Sequence, residues 1–249
     1  MIKLSKINTT PPSGFDKEAT KEKTKKLVGQ MDELQNVLFA QSKYSLLIVL
    51  QGMDASGKDG VISEVFAGVN PMGCRVKGFK KPTDEEMGHD FLWRIHHHVP
   101  EKGMIQIFNR SHYEDVVIQR VHNWVDMPTI ERRYRHINAF ESLLQENNTV
   151  ILKFYLHVSQ EEQLERLEER LSDPKKMWKY NVNDRKESKL WDEYMAAYED
   201  AFNNCGPDIP WHIVPADKNW YKEYLVAKTI IESLSKLDLQ YPPIDKGDA

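Results

Sequence analysis

The run Gly52-Met53-Asp54-Ala55-Ser56-Gly57-Lys58 places two glycines and a lysine at the spacing G-x-x-x-x-G-K. An apolar run, residues 45–51, precedes it and a helical pattern follows, which is the strand–loop–helix setting this spacing requires. Glycines let the backbone turn tightly, so that the N–H groups of Gly52, Ala55, Ser56, Gly57, Asp59 and Gly60 can converge on phosphate oxygens. The start of the next helix adds its positive end. Lys58 supplies a mobile point charge for a bridging or terminal phosphate. An ordinary glycine turn is the simpler alternative, and the apolar strand ahead of the loop argues against it.

Two carboxylates depart from the usual loop. Asp59 follows Lys58 where Ser or Thr commonly holds Mg²⁺, and Asp54 lies inside the loop. A carboxylate among phosphate-binding amides is repelled unless a cation bridges it to the phosphate or it takes up a proton from an acceptor. Asp54 is therefore read as metal ligand, catalytic base or both, against the plainer reading of a turn cap.

A second polar cluster, Asn109-Arg110-Ser111-His112-Tyr113-Glu114-Asp115, follows another apolar run. Open α/β sheets bind ligands at such strand ends, and Arg110 can grip phosphate oxygens with two N–H groups. Alone, the cluster also suits an exposed turn. Farther on, residues 166–189 hold eight basic and five acidic side chains. Arg166 and Arg170 share a helix face, and Asp173-Pro174 should break that helix. With a phosphate loop elsewhere in the chain, a basic break over residues 160–190 reads as a lid that closes on phosphates; without one it would be a solvated face. Lys81, Asp90 and Arg94 are placed on the face opposite the loop, where Asp90 and Arg94 either bracket a nucleotide or pair on the surface. Adjacent His96, His97 and His98 do not face one another on a helix, which argues against zinc. Trp93, Trp178, Trp191 and Trp220 are assigned to packing.

These groups need a scaffold. At 249 residues and 40% hydrophobic, with no compositional break, the chain is expected to form one domain with a large core. Five short apolar runs (45–51, 75–79, 104–108, 150–157 and 211–215) alternate with helical patterns at 60–69, 112–123, 129–146, 160–171, 184–203 and 220–237. That alternation predicts a parallel sheet covered on both faces. Residues 1–15 read as an irregular arm, Asp16 as the cap of a helix reaching about residue 41, and residues 241–249 as a loose tail. A net charge of −4 argues against general nucleic-acid binding. Cys74 and Cys205 suggest neither a metal site nor a disulfide framework. No run approaches the ~20 apolar residues that cross a bilayer, and no signal-peptide core is evident, so a cytoplasmic protein without membrane partners is expected.

Taken together, residues 52–60, 79–82, 89–94, 108–115, 178–179 and 211–218 closely resemble the polyphosphate kinase 2 family, over roughly residues 25–240. The resemblance implies a three-layer α/β core similar to thymidylate kinase, of the P-loop kinase type, with a helical lid and use of Mg²⁺. It implies that Asp54 acts in metal binding or catalysis, that Lys58 and the loop contact phosphate, and that Arg110 helps bind the chain. The implied reaction is reversible phosphoryl transfer between inorganic polyphosphate and AMP, ADP or their guanine analogues, by a homo-oligomer. Many members carry Asp where this chain has Asn109, and favour nucleoside diphosphates. The Asn-Arg-Ser version looks like the branch that accepts both mono- and diphosphates, with Asn109 and Glu114 near the nucleotide. Two rivals stand beside this reading. A conventional ATP-dependent kinase would use the same loop, and Asp59 speaks against it; a nucleotide-binding regulator would need a partner surface that the sequence does not show.

Overall fold

The computed structural model describes residues 1–243. The run Ser45–Gln51 forms strand β1, with all seven residues buried, as an apolar strand covered on both faces must be. It is the centre of a five-stranded sheet, all parallel, in the order β2-β3-β1-β4-β5. The other strands are β2 (Cys74–Gly78), β3 (Ile105–Asn109), β4 (Thr149–His157) and β5 (Trp211–Pro215). Leu50 of β1 is level with Asn109 of β3 and Phe154 of β4, so the C-terminal ends of the three central strands open on one edge. The chain leaves β1 toward β2 on one side and returns to β4 on the other. The loop after β1 therefore sits at the switch point where α/β sheets bind ligands.

In chain order the helices are α1 (Lys17–Gln41), α2 (Lys58–Val65), α3 (Asp84–Met87), α4 (Trp93–His96), α5 (Glu114–Val121), α6 (Met127–Glu146), α7 (Gln160–Ser172), α8 (Val182–Glu187), α9 (Trp191–Asn204) and α10 (Asn219–Leu234). Helices α1, α2 and α10 pack together, as do α5, α6 and α9, which gives the three layers. Asp16 caps α1 by accepting from the Ala19 N–H at 2.8 Å, and Met31 and Leu38 of that helix enter the core, with Leu27 and Leu34 packed against it.

Two local expectations are corrected. The helix expected over 60–69 stops at Val65, since Gly68 and Pro71 follow and Asn70 caps a 3₁₀ turn instead. The helix expected over 184–203 is two helices separated by a 3₁₀ turn at Ser188–Leu190, where the Ser188 hydroxyl donates to the Arg185 carbonyl. The arm before Asp16 is irregular yet anchored: Leu4 is buried, the Ile2 and Leu4 amides donate to Asn203 and Glu199, and Thr9 donates to Asp217. Residues 241–243 have no regular structure, and the rest of the expected tail lies outside the described residues.

Candidate active site

Gly57 begins α2 with φ +97°, a left-handed conformation that glycine adopts without penalty. Lys58 follows and turns back under the loop, its Nζ donating to the carbonyls of Gly52 (2.7 Å) and Met53 (3.1 Å). Burial, with repulsion from Arg110, pushes its pKa down to about 8. The far side of the loop is held from α7. Gln163 donates to the Asp54 carbonyl at 3.0 Å. All five N–H groups of Arg166 have acceptors: Nε donates to Glu162, Nη1 to the carbonyls of Ala55 and Ser56, and Nη2 to those of Ala216 and Asp217, at 2.9–3.2 Å. The sequence reading has Arg166 gripping phosphate; its donors tie the loop to the end of β5, and its side chain also lines the cleft.

The end of β3 supplies the opposite wall. Arg110, at φ +63°, forms an ion pair with Asp54. Burial opposes its charge, and the carboxylates of Asp54 and Glu114 outweigh that and hold the guanidinium above its ordinary range. Glu114 is half-buried, and burial pushes its carboxyl up against the pull of Arg110 and Lys58. Asn109 donates to Asp59 at 2.8 Å, and Lys179 reaches the other Asp59 oxygen at 3.3 Å. Burial raises the Asp59 pKa, while the Asn109 and Lys179 contacts outweigh it and leave the carboxyl below its usual value. Behind this segment Glu141 accepts from Tyr113 and Lys153 and faces His112 at 3.2 Å, an entirely buried cluster that fixes the chain after Arg110.

The lid region follows the break at Asp173-Pro174. Arg170 pairs with Asp184 at 2.7 Å across it. Burial, with the nearby charge of Asp54, raises Asp184 to about 6. Between loop, lid and strand ends lies a cleft of about 880 Å³, lined by nine lysines and arginines and four carboxylates. Of the residues singled out in the sequence, Asp54, Ala55, Gly57, Lys58, Asp59 and Gly60 line it from the loop. Lys81, Asn109 and Arg110 line it from the strand ends, and Arg166 and Arg170 from α7.

Others do not reach the cleft. The Ser56 side chain is fully buried, Gly52 is buried and Glu114 is half-buried, and none of the three is among the residues that line the cleft. Arg94 does not pair with Asp90. It is buried and donates to the Lys80 carbonyl (2.9 Å) and Asp115 (3.3 Å), while Asp90 accepts from the Leu92 N–H. His96, His97 and His98 turn toward three different rings, those of Phe140, Trp93 and Phe79. Trp178 is 77% exposed on the lid and does not pack. Sequence reading missed Asn219 and Lys222, which line the cleft from the first turn of α10. Their position just after the last strand, at the ligand-binding edge, was the available signal.

A phosphate loop after the central strand of a parallel sheet, faced by a basic lid, defines a phosphate-loop kinase. A sequence model of the family described as Polyphosphate kinase 2 matches residues 14–242. The AMP/ADP-polyphosphate phosphotransferase of Meiothermus ruber is 46% identical over 97% of this chain and 91% of its own length. The ADP-polyphosphate phosphotransferase of Rhodopseudomonas palustris is 41% identical, over 91% of this chain and 83% of its own. The crystal structure of Polyphosphate Kinase 2 from Arthrobacter aurescens superposes with a TM-score of 0.95 at 42% identity, covering 99% of this chain and 90% of that one. The chain belongs to the polyphosphate kinase 2 family.

Proposed function

We propose that this protein transfers phosphoryl groups between inorganic polyphosphate and AMP or ADP, in both directions. The observation that carries the reading is the cleft itself: nine cationic and four anionic side chains surround a phosphate loop in a chain of net charge −4. Such a surface suits a long polyanion. The chain's terminal phosphoryl rests on the loop amides beside Lys58. An oxygen of the nucleotide's terminal phosphate attacks that phosphorus in line, the bond to the bridging oxygen breaks, and the shortened chain leaves with the electron pair. Donor and product anhydrides are alike, so the protein's contribution is positioning and charge stabilisation. Arg110 and Lys58 stabilise the equatorial oxygens, and Lys80 and Lys81 stand on the acceptor side.

The donor set fits Mg²⁺. Among the described residues no three His, Cys, Asp or Glu side chains gather into a cage, whereas Asp54 offers a carboxylate at the cleft. One carboxylate with waters and phosphate oxygens is the usual mode for this ion. When bound there, Mg²⁺ would neutralise charge on the transferring phosphate. Asp54, whose carboxylate pairs with Arg110, would be the residue that holds the ion.

The test is nucleotide conversion with Mg²⁺ and polyphosphate alone, using AMP free of ADP and an adenylate kinase inhibitor. Both AMP to ADP and ADP to ATP are expected. Conversion with ATP as the sole effective donor would assign a conventional kinase instead. Nucleotide binding without turnover would assign a regulator, and failure with AMP alone would restrict the acceptor to diphosphates.

A further inference from the structure

Four lysines and arginines are buried among the described residues: Lys58, Arg94, Lys153 and Lys222. Arg94 pairs with Asp115 and Lys153 with Glu141. Lys58 and Lys222 have no carboxylate within 4.0 Å among the described residues, and both line the cleft. A buried cation without a counter-ion is costly unless a ligand supplies the negative charge. For Lys58 the phosphate loop explains the vacancy of a partner. Lys222 lies on another element, 1% exposed, and calls for the same explanation.

Its surroundings narrow the ligand. The Lys222 Nζ donates to Asn219 Oδ1 (2.6 Å) and to the Ser56 carbonyl (3.3 Å), two acceptors for three N–H groups. A Cβ on Gly57 would fall 2.0 Å from this ammonium, so the charge sits against the loop where α2 begins. On the same wall Arg166 has all five N–H groups engaged and Arg170 is paired with Asp184. Among the described residues that line that wall, Lys222 thus keeps donor capacity. Its pKa is lowered to about 8 by burial and by Arg166 of α7 and Lys58 of α2, against the weaker pull of Glu223 and Glu162.

We propose that Lys222 binds the phosphate chain itself, contacting a phosphate unit beside the one held on the loop. This rests on the polyphosphate reading above and names the residue that holds the donor on the α10 side. A purely structural Lys222, needed to hold the Ser56 carbonyl, is the competing account.

The two are separated with Lys222→Met in the full chain, measuring steady-state KM for polyphosphate and for ADP, and the melting shift produced by inorganic tripolyphosphate. Loss of one charge-assisted contact should raise the polyphosphate KM about tenfold or more and leave the ADP KM within about twofold. The tripolyphosphate shift should shrink, and the dependence of polyphosphate KM on salt should become shallower. An unchanged polyphosphate KM and salt response would overturn the proposal. So would equal worsening of both KM values, the result a loop support predicts. Should Lys222→Met fail to fold, Lys222→Gln, which keeps a donor for the Ser56 carbonyl, must show the same split. A wild-type protein that transfers nothing from polyphosphate overturns the functional reading together with this one; an active wild type with an indifferent Lys222 overturns this one alone.

Discussion

Replacing Arg166 with Ala removes a clamp that joins three segments. Five hydrogen bonds are lost: one to the Glu162 carboxylate and four to the carbonyls of Ala55, Ser56, Ala216 and Asp217. An intramolecular hydrogen bond contributes about 1 kcal/mol net. The Arg166 side chain is 15% exposed and lines an open cleft, so water can reach some of the freed carbonyls. A destabilisation of about 2–4 kcal/mol follows, below the simple sum. For a chain of this size each kcal/mol lowers Tm by about 2–4 °C, which gives a fall of roughly 5–15 °C. Thermal melts and urea titrations of the ligand-free protein read this directly. Because the loop loses its support, kcat should fall for AMP and ADP alike. An unchanged Tm with a selective rise in polyphosphate KM would refute the clamp and return Arg166 to the role of a free phosphate ligand.

Asp54→Asn keeps the shape and removes the charge beside Arg110; a rate loss of about 100-fold or more with a weaker Mg²⁺ response is expected, and an unaltered Mg²⁺ titration would reduce Asp54 to a turn residue. Asn109→Asp would set a second carboxylate against Asp59, where the amide now donates at 2.8 Å. One of the two must then take a proton or recruit a cation, so the Mg²⁺ dependence should shift and AMP use fall about tenfold relative to ADP; equal acceptor ratios in variant and wild type would count against this. The pH response of polyphosphate affinity has a definite sign. Lys222 has a folded pKa of about 8, below its ordinary value, and an anion favours the protonated form. Affinity should hold below pH 8 and fall above it by up to about tenfold per unit for each of Lys222 and Lys58, which share this pKa. Lys222→Met should remove one of the two contributions and make the fall shallower. By the same linkage, the unfolded chain binds more protons between about pH 8 and 10.4. Lys222 therefore makes the ligand-free fold gain stability as pH rises through that window.

Much of this arrangement was readable in the chain. An apolar run ending at a glycine can be a buried strand, and G-x-x-x-x-G-K after it leaves the backbone few other uses, so β1, the loop and the place of Lys58 followed from local order. The break at Asp173-Pro174 was equally local, since proline cannot continue a helix. Residues far apart in sequence were decided by packing. The pattern 163–170 marks Arg166 as a cation on a helix face, and says nothing of the four carbonyls, two of them about 110 residues upstream. Arg94 looked like a partner of Asp90 four residues before it, but folding buries it against Asp115. Lys222 carried no motif. It became a site residue because α10 starts where β5 ends, bringing its ammonium to Gly57 across 165 positions of chain. Sequence order determines what each short segment can form and where a backbone can turn on phosphate. Which charges meet a partner inside the fold, and which are left to meet a ligand, depends on contacts that exist only once the sheet has closed.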